Sequence, residues 1–169
     1  MTATHSMSLK DQLQHLADRQ AVADLIARLG RMLDEKRYDE AGAILADDVV
    51  VHTPGGSARG PQAVVDQARQ NHTVRTQHVI TDVLIDLDGD RAAARANLIV
   101  TFVPDSDAPA ARLVIGTAAP PESRLMIGER YRFEAVRGDG CWRLASIEVA
   151  RLWSTAPVPA GARVAEAAT

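Results

Sequence analysis

Apolar positions follow a helical period in the first part of the chain and a strand period in the second. Between Leu9 and Leu33 they return every three or four residues, which is typical of a helix with one face packed on a core. Ser8 and Asp11 precede this run with the spacing of a capping box. We therefore predict a long first helix over residues 9–33, which could break near Arg19.

Two shorter helices and a strand are predicted next. One helix covers residues 38–45 and is stopped by Asp47-Asp48, and a strand begins at Val49. Residues 54–57 predict a loop, because glycine and proline favour turns. Gly60-Pro61 starts a third helix that extends to about residue 70, since proline is favoured at the first helical position.

From residue 77 onward the period changes to two, which indicates strands. One predicted hairpin joins residues 77–87 to 92–103 through Asp88-Gly89, and a second joins 125–136 to 142–153 through a Gly-Asp-Gly turn. The Pro/Ala/Asp-rich stretch 104–111 and the stretch 116–123 are predicted to form a mobile excursion between the two hairpins.

Helices first and long hairpins afterwards predict an α+β fold, with the N-terminal helices packed into a mostly antiparallel sheet. Strands of ten or more residues favour strong curvature, so the sheet would wrap a helix and leave an apolar cavity. We expect a flexible N-terminus (1–8), one domain (9–154) and a disordered tail (155–169). The tail is rich in Ala, Pro and Gly and lacks apolar periodicity.

Composition narrows the classes of partner. The 169 residues are 46% apolar with a formal net charge of −3, and basic residues are scattered rather than grouped with aromatics. Nucleic acid and a membrane surface are therefore not expected partners. The first ten residues lack the apolar segment of a signal peptide, which favours the cytoplasm. The expected partner is a small molecule or another copy of the chain.

Cofactor and metal motifs are not evident in the sequence. The histidines lack metal-binding spacing, and no Gly-x-Gly-x-x-Gly follows a predicted strand, so neither a metal nor a cofactor is expected. Cys141 is the single cysteine, and its place beside Trp142 in a predicted strand is interpreted as that of a small buried hydrophobe.

Three segments together resemble the SnoaL-like branch of the nuclear transport factor 2-like superfamily. They are LDEKRYDEAGAILADDVVVH, TQHVITDVLIDLDGDRAAARA and GERYRFEAVRGDGCWRLASIEV, and they follow the long amphipathic helix in that order. The resemblance covers roughly residues 9–153. It implies a conical α+β barrel of cystatin-like topology with a deep apolar pocket, and a homodimer. Members include polyketide cyclases, scytalone dehydratase, limonene epoxide hydrolase, ketosteroid isomerase and non-catalytic binding or association domains.

Scytalone dehydratase is the most informative comparison within this resemblance. Its Asp-His pair falls on Asp34 and His78, within LDEKRYD and TQHVI. This sequence differs from scytalone dehydratase at four other positions of the site. Leu33 and Thr53 replace two tyrosines, Phe102 replaces a second histidine, and Tyr131 replaces an asparagine. The resemblance therefore implies an acid/base pair in a more apolar pocket than the one that binds scytalone.

Each candidate catalytic residue has an ordinary alternative. His78 could move a proton next to a carbonyl, or be a polar residue at a strand start. Asp34 could orient His78, or be a solvated residue at the C-terminus of a helix, where the dipole disfavours a carboxylate. Tyr131 could polarise a substrate carbonyl, or be a core aromatic. Glu129 shares its strand face and is either a buried carboxylate or a sign that the face is exposed.

The function expected from these residues is cofactor-independent acid/base catalysis by a dehydratase, isomerase or cyclase. The substrate would be a small apolar, ring-containing carbonyl compound such as a polyketide or another secondary metabolite. A non-catalytic binding or dimerisation domain with the same pocket is the alternative. The residues expected to line the pocket beside Tyr131 are Leu29, Leu33, Val51, Thr53, Leu98, Phe102 and Phe133.

Overall fold

A computed structural model describes residues 7–103, 112–113, 117–118 and 124–155. Its helices are α1 (Leu9–Glu35), a 3-10 turn (Tyr38–Glu40), α2 (Ala41–Ile44) and α3 (Pro61–Asn71). Its strands are β1 (Leu45–Thr53), β2 (Gly56–Arg59), β3 (Arg75–Asp88), β4 (Arg91–Val103), β5 (Arg112–Leu113), β6 (Thr117–Ala118), β7 (Leu125–Gly138) and β8 (Cys141–Ser154).

Helix α1 is continuous over 27 residues, so the expected break near Arg19 is wrong. The Arg19 guanidinium donates to the carbonyl of Ile85 on β3, which ties the middle of the helix to the sheet. The predicted cap is confirmed, because the Asp11 N–H donates to the Ser8 hydroxyl at 3.2 Å. The helix ends at Lys36, whose φ of 59° is left-handed and turns the chain away from the helix axis.

The six-stranded sheet has the order β2-β1-β8-β7-β4-β3. Strands β1 and β8 are parallel, and every other neighbouring pair in this sheet is antiparallel. This confirms the predicted α+β class with a mostly antiparallel sheet. Two local predictions are wrong. Strand β1 already begins at Leu45, so Asp47 and Asp48 lie inside it rather than before it. The loop expected at residues 54–57 is shorter, because Gly56 and Ser57 already belong to β2, which pairs with β1 as a hairpin.

Irregular pairing bends the long strands. The register of β3 on β4 shifts between Thr81 and Leu84, where Asp82 has a φ of 54°, and β7 on β8 shifts between Gly128 and Glu129 and again further along. Such bulges increase local twist and bend the bulged strand. They give the long strands the means to curve around α1, as the sequence predicts.

Two groups of buried apolar side chains fill the space between sheet and helices. The main core contains the apolar stripe of α1 together with residues of α2, β1, β7 and β8, including Phe133 and Trp142. The second cluster consists of Val74, Leu98, Val100, Phe102, Leu125 and Ile127. Ile80 and Tyr131 pack against both groups, so the two groups are continuous. The second cluster extends the core toward the start of β3, the end of β4 and the start of β7.

The interpretation of Cys141 as a buried hydrophobe is wrong. Its side chain is exposed, whereas Trp142 is buried at 6% exposure. Cys141 is the first residue of β8, directly after the turn, and strand alternation points it away from the core that Trp142 enters.

The ends of the chain and the excursion between the hairpins are described only in part. Residues 1–6 and 156–169, and most of the stretches 104–111 and 116–123, lie outside the described residues, so the disorder and mobility expected there stay predictions. Strands β5 and β6 pair with each other within the excursion. Among the described helices, none is both long and apolar enough to cross a membrane.

Candidate active site

Asp34 and His78, 44 residues apart in sequence, meet where the end of α1 packs on β3. The His78 Nδ1 lies 2.6 Å from Asp34 Oδ1, and the His78 backbone N–H donates to Asp34 Oδ2 at 2.8 Å. The Thr76 hydroxyl donates to Asp34 Oδ1 at 2.9 Å. The His78 side chain is 2% exposed and that of Asp34 is 22% exposed, so the pair lies at the boundary between core and surface.

A glycine in α1 lets the helix approach β3 closely enough for this contact. Gly30 lies one helical turn before Asp34, and a Cβ added there would meet Ile80 Cδ1 at 3.1 Å and His78 Cβ at 3.6 Å. Positions i and i+4 share a helix face. The same face that admits the strand at Gly30 therefore presents the Asp34 carboxylate to His78.

The partners of Asp34 fix both its charge and the tautomer of His78. Burial raises the pKa of the Asp34 carboxyl, but hydrogen bonds from His78 and Thr76 and the charge of His78 outweigh it and leave the pKa below its usual value. Because a carboxylate only accepts, His78 Nδ1 carries the hydrogen in this contact. In the neutral ring, Nε2 is then the unprotonated nitrogen and can act as a base.

His72 is a second histidine at this place, and sequence reasoning gave it no role. Its ring centroid lies 5.3 Å from that of His78, and the His72 ring also stacks on Phe102 with centroids 6.0 Å apart. Its Nδ1 lies 3.0 Å from the carbonyl of Ala68, which caps the end of α3. Burial, together with the charge of His78, lowers the pKa of His72 to about 4. His72 is therefore a neutral imidazole at neutral pH.

Glu129 and Tyr131 face inward from β7, so the question left open for Glu129 is decided in favour of burial. Glu129 is 8% exposed and forms a side-chain hydrogen bond with the Tyr131 hydroxyl. Burial raises the pKa of Glu129, against the charges of Arg151 and His78. Burial also raises the pKa of Tyr131 well above its usual value, so its phenol stays neutral. The Tyr131 ring stacks on Phe133 with centroids 5.5 Å apart.

Lys36 and Tyr38 add polar groups beside the end of α1. Within the described part of the chain, the Lys36 ammonium and the Tyr38 hydroxyl are buried without a hydrogen-bond partner. Burial lowers the pKa of Lys36, although the negative charge of Asp34 opposes this. The Tyr38 ring lies under the Arg69 guanidinium at 5.3 Å.

The other residues expected to line a pocket fall into three places. Leu98 and Phe102 belong to the second cluster, which lies beside the two histidines. Leu29, Val51 and Phe133 lie in the main core, with Leu33 packed against it. Thr53 lies apart from the pair, because its hydroxyl donates to the Gly56 carbonyl and accepts from the Gly55 N–H in the β1–β2 turn.

Potential metal ligands are dispersed in the described part of the chain. Residues 7–103 and 124–155 contain no group of three or more His, Cys, Asp or Glu side chains placed to hold an ion. Both site histidines use Nδ1 in contacts with protein oxygens, His78 with Asp34 and His72 with Ala68. What the described residues bring together is the Asp34 carboxylate, the His78 imidazole and the buried carboxyl group of Glu129, which are groups that can take part in acid/base chemistry.

Comparison with solved structures identifies the class of fold. A protein from Novosphingobium aromaticivorans described as NTF2-like with a cystatin-like fold is 22% identical, with a TM-score of 0.66 over 89% of this chain and 92% of that one. A proposed scytalone dehydratase from the same organism is 18% identical, with a TM-score of 0.71 over 92% and 97%. The hexachlorocyclohexane dehydrochlorinase LinA-type3 from Novosphingobium barchaimii is 20% identical, with a TM-score of 0.72 over 88% and 95%.

The chain belongs to the SnoaL-like domain family, whose model matches residues 14–148. This confirms the resemblance read from the sequence motifs. No curated protein matches the chain by sequence.

Proposed function

We propose that the protein is a cofactor-independent acid/base enzyme, of lyase or isomerase type, that removes a proton next to a carbonyl group. The observation that carries this proposal is the 2.6 Å contact between Asp34 and a His78 ring that is almost fully buried. Two structural neighbours, a dehydrochlorinase and a proposed scytalone dehydratase, bear the names of lyases, which is consistent with this class.

In the proposed reaction, Nε2 of His78 accepts the proton from carbon. The carboxylate of Asp34 stabilises the imidazolium that forms and keeps the ring in the required tautomer, as the third member of a catalytic triad does. Three donors hold Asp34, two from His78 and one from Thr76, so the base needs little reorganisation. The proton can then return to another carbon or to a leaving oxygen, which covers isomerisation, ring closure and dehydration.

The proposed substrate is a small apolar molecule with a ring, such as a polyketide or another secondary metabolite. The second cluster supplies Leu98 and Phe102 beside the histidines, and His72 stays uncharged there. An uncharged, largely apolar wall favours an apolar ring over an ionised substrate, because burying a charge without a partner is costly.

The direct test is exchange of hydrogen for deuterium at the carbon next to the carbonyl of 2-tetralone, followed by NMR in deuterated buffer. We expect wild type to catalyse the exchange and His78→Ala to lose it. Asp34→Asn should lose about 10²–10⁴-fold, the usual contribution of a positioned acid/base group. Glu35→Gln is the matched control, since this neighbouring carboxylate is exposed and pairs with Arg31.

Equal exchange rates in wild type and His78→Ala would contradict the proposal. Binding of 2-tetralone by wild type without any catalysed exchange would favour a non-catalytic binding module in its place.

We also propose that the protein partner is a second copy of the chain. Val79, Ile99, Gly128 and Trp153 are register neighbours on β3, β4, β7 and β8. The three larger side chains are 46%, 38% and 43% exposed, respectively. They form an apolar row across the sheet, which is the kind of surface that supports a protein interface.

A further inference from the structure

We propose that Glu129 is a catalytic residue that delivers the proton to an oxygen leaving group, from the second strand along the sheet from that of His78. This inference rests on the proposed function, because it assigns the acid that completes the reaction begun by the His78 base. It narrows the substrate to a carbonyl compound with a hydroxyl or alkoxy group on the β-carbon.

Placement in the sheet supports this role. His78 pairs with Val100 across to β4, Val100 pairs with Ile127 on β7, and Glu129 is the next inward-facing residue after Ile127. Strands β3 and β7 are separated by β4 alone, so their backbones lie about 10 Å apart at usual strand spacing. Both side chains project from the same face of the sheet, on either side of the buried Leu98 and Val100 side chains of β4.

Burial of Glu129 opposes the ionisation of its carboxyl group. It faces Leu98 on β4, Tyr131 on its own strand, Arg151 on β8 and the charge of His78 from β3. Burial raises its pKa despite the two positive groups. Among the described residues, the Arg151 guanidinium forms no ion pair with Glu129 within 4 Å. Its buried Nε is without a partner in the described part of the chain.

In this proposal Tyr131 orients the acid. Its hydroxyl bonds the Glu129 carboxyl, and its ring is fixed by stacking on Phe133. A carboxylic acid has one O–H donor and further acceptor sites.

The step balances without any added reactant. Nε2 of His78 takes the α-proton, and the electrons of the C–H bond form the new C=C bond. The bond between the β-carbon and oxygen breaks, its electron pair stays on the oxygen, and the Glu129 proton completes water from a hydroxyl group or an alcohol from an alkoxy group. The imidazolium then loses its proton to solvent and the Glu129 carboxylate regains one, which restores both groups.

A leaving-group comparison separates this role from a structural one. The probes are 3-hydroxyindan-1-one and its 3-chloro counterpart, which give the same indenone, measured by absorbance after subtracting the uncatalysed rate. A departing chloride needs no proton, whereas hydroxide is a poor leaving group without one. Glu129→Gln should therefore slow the hydroxy ketone by about 10²–10⁴-fold. It should leave the chloro ketone nearly unchanged, whereas His78→Ala should slow both.

Glu134→Gln is the matched control, because this glutamate lies on the same strand but is exposed on the opposite face. Equal slowing of both ketones by Glu129→Gln would overturn the inference and indicate a structural role. Deuterium exchange on 2-tetralone without elimination of either probe would also overturn it while leaving the proposed function in place.

Infrared spectroscopy gives a readout that does not depend on substrate. As the pH is raised, the C=O stretch of protonated Glu129 should persist beyond the pH at which exposed carboxyl groups lose theirs, and Glu129→Gln should remove that late-titrating band. Loss of all carboxyl C=O bands together would show that burial does not retain a proton on Glu129 and would overturn the inference, whatever happens to the exchange reaction.

Discussion

At the scale of single residues, the site contains two neighbouring imidazoles with different partners. His78 donates to a carboxylate, whereas His72 faces the carbonyl of Ala68 and stacks on Phe102. A carboxylate stabilises a protonated ring, but a carbonyl and a phenyl ring do so far less. The two histidines therefore differ in charge: in the proposed reaction His78 can hold a proton, whereas His72 stays neutral.

The pH dependence of stability should report on His72. Its pKa of about 4 in the folded state lies below the usual 6.5, so the unfolded chain binds more protons between these values. The contribution of His72 to the free energy of unfolding is fully present above pH 6.5 and is lost as the pH falls toward 4. Below pH 4 this contribution no longer changes with pH. A shift of this size corresponds to about 3 kcal/mol.

We expect His72→Phe to remove that part of the pH dependence of the free energy of unfolding, measured by urea denaturation between pH 4 and 7. His52→Phe is the control, because His52 is exposed on β1. An unchanged pH dependence in His72→Phe would show that His72 is accessible to protons in the folded state.

The residues of the site differ in how far they could be predicted from sequence. Asp34 and His78 carry local motifs, and their contact agrees with the predicted pairing. Nothing near His72 in the sequence indicates a role, because its position depends on where the end of α3 packs. For Glu129, strand alternation predicted which residues share its face of the strand. It did not predict whether that face points into the core or toward solvent, because this depends on how the sheet packs on the helices.

At the scale of elements, β7 contributes to both sides of the sheet: Glu129 faces the candidate site, and Gly128 contacts Trp153 on the outer face. A Cβ on Gly128 would lie only 2.1 Å from Trp153 Cε2, so the indole lies directly over the glycine backbone. The neighbouring residue Glu129 faces the opposite side of the same strand. The position of the Trp153 ring is therefore possible because residue 128 has no side chain.

We expect Gly128→Ala to displace the Trp153 indole and to lower stability by about 1–3 kcal/mol, the usual cost of overpacking. Tryptophan fluorescence and urea denaturation measure the two effects. Gly138→Ala is the matched control on the same strand, because a Cβ there meets nothing within 4 Å; its effect should stay within about 0.5 kcal/mol. Equal behaviour of the two variants would contradict the packing of Trp153 on Gly128.

Long elements were predicted better than short ones. Periodicity identified α1 and the four long strands because each repeats its pattern several times. Strand β2 was missed because Gly56–Arg59 is short and begins with glycine and serine, which favour turns. It forms because β1 offers an unpaired edge that the returning chain can bond, which is a tertiary effect.

At the scale of the whole molecule, the apolar row of Val79, Ile99 and Trp153 should decide the state of association. We expect a dimer in light scattering at micromolar concentration, and we expect Ile99→Lys to shift it toward monomer by placing a charge in the interface. Leu13→Lys is the control, since Leu13 is equally apolar and 59% exposed but lies on α1. A monomeric wild type, or dissociation by Leu13→Lys alone, would contradict pairing through this face.

The parallel pairing of β1 with β8 has a consequence for synthesis on the ribosome. Helix α1 and β1 are translated early, but their partners come from the last hairpin: the Trp142 indole and the Arg137 guanidinium donate to Asp18, 124 and 119 residues away in sequence. A nascent chain cannot complete this core until β8 has left the exit tunnel. The apolar stripe of α1 can pack on β3 earlier, where Arg19 bonds Ile85, but Asp18 stays without these two partners until the last hairpin has been made.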